Sequence, residues 1–277
     1  MTTFQTILVI HISATPAPPS SSLTISQLHE TCCHRKSPPL SHTSSQPHIH
    51  LHHHHHHHHH HYYYHYYHYY HYYHHHLPIT MSPVFNYFPI PARGEATRVA
   101  LAVAGVDFED KHISFAEFGA CGFKTLPVYQ MDGTDYTQST ALLRYAGKLG
   151  GTYPECPLEA LKVDEIVMIA EDVFINLFST LKENDEAKKA ELCKTLLAGK
   201  VKQLLEDIAS KVEANKCSAY CVGDSLTIAD ITIHAVFATV QAGFMTGIPT
   251  TTVEDICPSL KAVDDAVMEH PKVRFCF

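Results

Sequence analysis

The chain contains no tryptophan, so no indole N–H is available anywhere as a hydrogen-bond donor. It has no block of Lys or Arg, and its acidic side chains outnumber the basic ones, 28 to 20. That balance argues against a nucleic-acid surface. No apolar run approaches the length a membrane-spanning helix needs, so no membrane partner is expected. The nine cysteines include no CxxC pair and no Cys/His zinc spacing. An odd number of scattered cysteines, several inside helical apolar patterns, reads as reduced and mostly buried thiols of a cytoplasmic protein without a metal cofactor.

Charge is nearly missing from the first eighty residues, which hold only Glu30, Arg35 and Lys36 as charged side chains. The apolar run Ile7–Ile10 with the small residues after it makes only a weak secretory-signal pattern, because no Lys or Arg precedes it. Residues 16–47 are rich in Pro, Ser and Thr and have too little to bury for a packed core. His52 to His61 is unbroken, and only His and Tyr follow as far as His76. Three readings stand for this tract: imidazoles that take up zinc, copper or nickel, a disordered sticky extension, or non-coding sequence translated ahead of a true start at Met81. Residues 1–80 are therefore set apart as a low-complexity extension.

From residue 81 the pattern becomes ordered. Val84 to Phe88 reads as a strand ending in aromatic residues, and a proline-rich turn follows. Residues 94–104 read as a helix, with Ala96, Val99, Ala100 and Val103 on one face and Gly105 as its stop. Phe108 to Phe115 is a second strand, and residues 116–126 are irregular. Pro127 to Met131 and Thr134 to Thr137 are strands joined by the hairpin signal Asp132-Gly133. A helix opens at Gln138-Ser139-Thr140, runs to about Lys148 and stops at Gly150-Gly151. This βαβ-hairpin-α order predicts a small mixed sheet with helices, spanning 81–152.

The ordered set Tyr87-Phe88-Pro89, Arg93-Gly94-Glu95, Leu126-Pro127-Val128, Asp132-Gly133 and Gln138-Ser139 resembles a glutathione transferase, closest to the sigma class. The resemblance covers residues 83–275. It implies an α/β thioredoxin-like domain, then an all-helical one, with glutathione as co-substrate. Tyr87 would be the catalytic hydroxyl, with Phe88 beside it, and Arg93 would add positive potential near the sulfur. Arg93 also reads as an ordinary ion-pair partner of Glu95 or another acid. Leu126-Pro127 would be a cis-proline step whose backbone pairs with the glutathione cysteinyl backbone. Gln138 and Ser139 would hold the γ-glutamyl carboxylate at a helix N-terminus, and Ser139 would also suit a helix cap. Relatives grip the glycyl carboxylate with a Trp and a Lys. Here Phe118 stands near the Trp position and cannot donate, the loop 116–126 is shorter, and Lys124 is the matching cation.

After a short linker, Tyr153 to Pro157, the pattern is helical throughout 158–277. Ile166, Ala170, Val173 and Leu177 share a face. Leu197, Val201, Leu204, Ile208 and Val212 share another, on one helix across roughly 186–213. Thr227 and Asp230 form an acidic capping box that opens the next helix, and Cys217 and Cys221 read as structural. Asp172 matches a position where the family reaches across a homodimer to the γ-glutamyl amine; an exposed helix acid is the plainer reading.

The implied function is conjugation of the glutathione thiolate to a small hydrophobic electrophile. Two others follow from the same scaffold: a catalytically weak binding or structural protein of the lens-crystallin kind, and a sigma-type prostaglandin isomerase.

Overall fold

The computed structural model describes residues 82–215 and 219–273. The extension 1–80, Met81, Cys32, Cys33, Cys217 and Cys276 lie outside the described residues.

Strand β1, Val84–Tyr87, sits inside the sheet and has Phe85, Asn86 and Tyr87 buried. Helix α1, Ala92–Ala104, follows and stops at Gly105, whose φ of 71° is the left-handed conformation glycine tolerates best. Strand β2 is Glu109–His112, shorter than the 108–115 expected. All four of its residues are exposed and none packs against a core face, because it is an edge strand.

Residues 116–126 are not wholly irregular. Helix α2, Phe115–Phe118, is closed by a capping box in which Glu117 accepts from the Ser114 N–H at 3.0 Å. Strands β3, Val128–Met131, and β4, Thr134–Thr137, flank a turn with positive φ at both Asp132 (51°) and Gly133 (73°), as the Asp-Gly pair requires. Helix α3, Ser139–Gly150, completes the unit.

The sheet order is β2-β1-β3-β4, with β1 and β2 parallel and the other pairs antiparallel. Together with α1 and α3 this is a thioredoxin-like arrangement. The register carries the site. Asn86 lies opposite Val128, and Val128 lies opposite Thr137. Tyr87, Pro127 and Gln138 are the next residues along the chain beyond these paired positions.

The remaining elements are helical, and the first begins at Pro157, one residue before the expected start. Helix α4, Pro157–Ser179, buries Val163, Ile166, Val167, Ala170, Val173, Phe174 and Leu177 on one stripe. The single helix expected over 186–213 is two: α5, Glu186–Ala198, and α6, Lys200–Ala214. The chain turns at Gly199 (φ −116°, ψ −104°), a backbone outside the helical region. Helix α7, Ile228–Gln241, is buried almost all round and packs on α1, α4 and the closing helix α9, Ser259–Glu269, while α8, Thr252–Ile256, bridges to it. The start of α7 is fixed as predicted. Asp230, fully buried, accepts hydrogen bonds from the Thr227 N–H (2.7 Å) and hydroxyl (2.8 Å). Cys121, Cys193, Cys221 and Cys257 are free thiols, and Cys156, Cys193, Cys221 and Cys257 are buried.

Candidate functional site

The end of β1 and the first turn of α1 fold back on each other and set the geometry. The Tyr87 ring is buried at 5% exposure. Burial pushes its phenol up to about 12, while the Arg93 backbone hydrogen bond and the charges of Arg93 and Arg98 pull it back. A phenol held that high stays protonated across neutral pH, so it donates a hydrogen bond and does not act as a base.

Three contacts fix the segment after Tyr87. The Arg98 guanidinium donates to the Phe88 carbonyl and the Ile90 carbonyl, each at 3.1 Å, and reaches Asp110 at 2.9 Å. It also lies over the Tyr87 ring, 5.5 Å from the centroid. Gly94 faces the same ring with no side chain between. Neither Arg98 nor Gly94 carried a role in the sequence reading; an Arg five residues after another and a helical glycine are weak signals without the fold.

Arg93 lies in the first turn of α1, not on the preceding turn, and its side chain is spoken for. Its Nε donates to Glu171 Oε2 at 3.0 Å, and its guanidinium sits over Phe178, 5.5 Å from the ring centroid. The acid it meets is thus Glu171 on α4; Glu95 pairs with Arg98 instead, at 3.4 Å. Glu171 also accepts from the Ser139 hydroxyl at 3.3 Å. One carboxylate therefore gathers α1, α3 and α4 at the site. Sequence reasoning named its neighbour Asp172, which is exposed.

Leu126-Pro127 is a cis peptide, and Pro127 is buried at the start of β3. Gln138 is exposed and carries φ 76°, ψ 104°, a strained backbone for a residue with a side chain. It occupies the cap position of α3 without a side-chain cap, and Ser139 is the first helical residue. The α3 N-terminus thus follows directly on the end of β4. Phe88 stacks on Phe115 with centroids 4.3 Å apart, and meets Phe118 edge-on at 5.5 Å. Phe118 is thereby joined to the Tyr87 segment through an aromatic cluster, whereas Lys124 stands exposed on the loop. Among the described residues no cluster of His, Cys, Asp or Glu is arranged to hold a metal ion, and no helix is long and apolar enough to cross a membrane.

A profile of the glutathione S-transferase C-terminal domain matches residues 171–274. The chain is 32% identical over 174 residues to the glutathione S-transferase class-mu 28 kDa isozyme of Schistosoma mansoni, covering 58% of this chain and 81% of that one. The chain belongs to the glutathione S-transferase family. Within that family it is also 30% identical over 196 residues to S-crystallin SL11 of Nototodarus sloanii, covering 68% of this chain and 91% of the crystallin. Among solved structures, the prostaglandin synthase D of Nilaparvata lugens superposes with a TM-score of 0.61 at 27% identity, over 70% of this chain and 96% of that one. The family fold is the one described above. The family uses glutathione.

Proposed function

We propose that this family member is a sigma-like, cytoplasmic glutathione transferase that conjugates the glutathione thiolate to small hydrophobic electrophiles. The observation that supports the proposal is the buried Tyr87 phenol, kept protonated by burial, at the end of the strand β1 that pairs with β3, the strand following Pro127. A free thiol is mostly protonated at neutral pH. A hydrogen bond donated by Tyr87 to the sulfur favours the charged form, so the thiol proton leaves to solvent and Tyr87 keeps its own. The thiolate then forms a C–S bond. A nitro-aryl halide expels its halide, an enone takes a proton from water at carbon, and an epoxide opens to an alkoxide that water protonates.

Backbone pairing with Leu126, ahead of Pro127, suits the cysteinyl unit of glutathione. The α3 N-terminus with Gln138 and Ser139 suits its γ-glutamyl carboxylate. Lys124 is the cation for the glycyl end, and Phe118 offers contact without a hydrogen bond. Arg93 has a positioning share in this scheme, because its charge is directed at Glu171. Asp172 falls on the exposed side of α4 with Leu161, Met168 and Ile175, whose seven-residue spacing makes an apolar stripe. That stripe supports a homodimer in which the partner subunit's Asp172 approaches the γ-glutamyl amine. The domain division at 81–152 and 158–277 belongs to the same proposal. Free thiols at Cys121, Cys193, Cys221 and Cys257 fit a reducing compartment.

The test is a titration of bound glutathione in the full chain, following thiolate absorbance against pH beside Tyr87→Phe. A bound-thiol pKa well below that of free glutathione, restored upward in the variant, is the expected result. Binding without a shift would refute the transferase and favour a binding or structural protein, a reading that the likeness to S-crystallin SL11 and the aromatic filling around Phe118 also support. Prostaglandin isomerisation, raised by the likeness to the prostaglandin synthase D of Nilaparvata lugens, is the third outcome to assay.

A further inference from the structure

We infer that Gly94 is a positioning residue for the Tyr87 hydroxyl: its bare Cα is the surface on which the Tyr87 ring rests, and any side chain there would move the hydroxyl off its place. The inference rests on the thiol-activating role proposed for Tyr87.

A Cβ built on Gly94 lies 2.3 Å from Tyr87 Cδ1, 2.7 Å from Cγ and 2.8 Å from Cε1. Ordinary contact between such atoms begins near 3.4 Å, so the ring would have to retreat by about 1 Å. The atoms met are the root and near edge of an aromatic ring, not the end of a flexible chain. They cannot swing aside by a rotamer adjustment.

The other sides of the ring are occupied. Phe88 and Phe85 lie at centroid distances of 5.5 and 6.4 Å. The Arg98 guanidinium over the ring is itself held by the Phe88 and Ile90 carbonyls and by Asp110. The same turn of α1 supplies the Arg93 backbone hydrogen bond to Tyr87. A retreating ring therefore loses that bond as well as its aim.

Gly94 has helical backbone angles, with no positive φ that would demand glycine. Helix propensity alone favours Ala at this position. The sign of the effect thus separates the two accounts: propensity predicts that Gly94→Ala stabilises, and the ring contact predicts that it destabilises.

The experiment uses the full chain and the variants Gly94→Ala, Tyr87→Phe and Tyr87→Ala, with Gly94→Ala combined into each of the latter. It reads the pKa of bound glutathione, kcat and KM with a nitro-aryl halide, and the denaturation midpoint. Gly94→Ala is expected to raise the bound-thiol pKa toward the Tyr87→Phe value. It should lower kcat roughly ten- to a hundredfold for a displacement of this size, with a smaller change in KM for glutathione. It should add nothing to the thiol pKa of Tyr87→Phe, because it acts through the missing hydroxyl. The midpoint should fall with Gly94→Ala in the wild type and in Tyr87→Phe, where the ring remains, and rise in Tyr87→Ala, where it is gone. A wild-type thiol pKa and kcat in Gly94→Ala, or an equal fall of the midpoint in the Tyr87→Ala background, would overturn the inference. If Gly94→Ala is too unstable for kinetics, its recovery by Tyr87→Ala decides the matter. A wild-type protein that leaves the thiol pKa unshifted, while the midpoints behave as expected, defeats the transferase reading and leaves the contact a packing feature only.

Discussion

Asp230→Ala should be among the most damaging single substitutions in the helical part of the chain. The wild-type carboxylate is fully buried and accepts from the Cys221 N–H at 2.6 Å, the Thr227 N–H at 2.7 Å and the Thr227 hydroxyl at 2.8 Å. Alanine strands two backbone donors and a hydroxyl where no water reaches. Each stranded buried donor costs about 1–3 kcal/mol, and the hydroxyl can turn elsewhere, so the sum is about 3–5 kcal/mol. That is a large share of the roughly 5–15 kcal/mol that holds a typical domain together. Thr227→Ala is the internal control. It removes the hydroxyl bond but keeps the Thr227 N–H on the carboxylate, and should cost about 1 kcal/mol. Equilibrium unfolding in urea, with slopes compared between variants, measures both. An Asp230→Ala loss no larger than that of Thr227→Ala would refute the reasoning. The pH dependence gives a second check. Burial pushes the Asp230 carboxyl above its ordinary 3.8, and the bonds from Cys221 and Thr227 pull it part of the way back. The folded state then holds this proton more tightly than the unfolded state does. Its contribution is complete below pH 3.8 and declines as pH rises through the raised value. Asp230→Asn should lack that decline.

Two further predictions concern the site. Glu171→Gln should leave the fold intact, since the Arg93–Glu171 pair is partly exposed and worth about 1 kcal/mol or less. Because Glu171 also orders Ser139, KM for glutathione should rise roughly threefold to tenfold, about the same energy expressed in binding; an unchanged KM would show that the carboxylate does not organise the pocket. Met168→Lys with Ile175→Lys should shift the chain to a monomer in sedimentation, by placing charges in the exposed apolar stripe of α4. A wild type that is already monomeric would refute the homodimer.

How much of this was legible beforehand follows from the range of each interaction. The Asp132-Gly133 hairpin, the Gly105 stop and the Thr227/Asp230 cap are set by residues within a few positions, and all three appear as read. The break at Gly199 was hidden because Leu197 and Val201 continue the apolar pattern across it, so periodicity saw one helix where the backbone makes two. Helix α2 carried the Ser114…Glu117 capping signal, but no apolar run followed to give it weight. The partner of Arg93 was beyond reach for a different reason. Glu171 lies 78 residues away, and nothing local distinguishes it from Asp172. The pairing of Asn86 with Val128 and of Val128 with Thr137 needed the register, which the strand sequences alone do not state.

The local costs in this chain gather around one spot. Ala92 (φ 45°) and Gln138 (φ 76°) are two of the three described non-glycine residues with positive φ, and they stand at the entries of α1 and α3. Such conformations cost about 1–3 kcal/mol each. Gly94 gives up about another 1 kcal/mol of helix propensity one turn into α1. Tyr87 buries a phenol whose hydroxyl is raised to about 12 by the loss of water. The third positive φ, at Asp132, belongs to a tight hairpin turn that calls for it. Ala92 and Gln138 stand in no such turn. Departures from local consistency at the entries of two helices are a kind of cost that binding and reaction sites commonly carry. They support the transferase reading we propose, which the thiol titration decides.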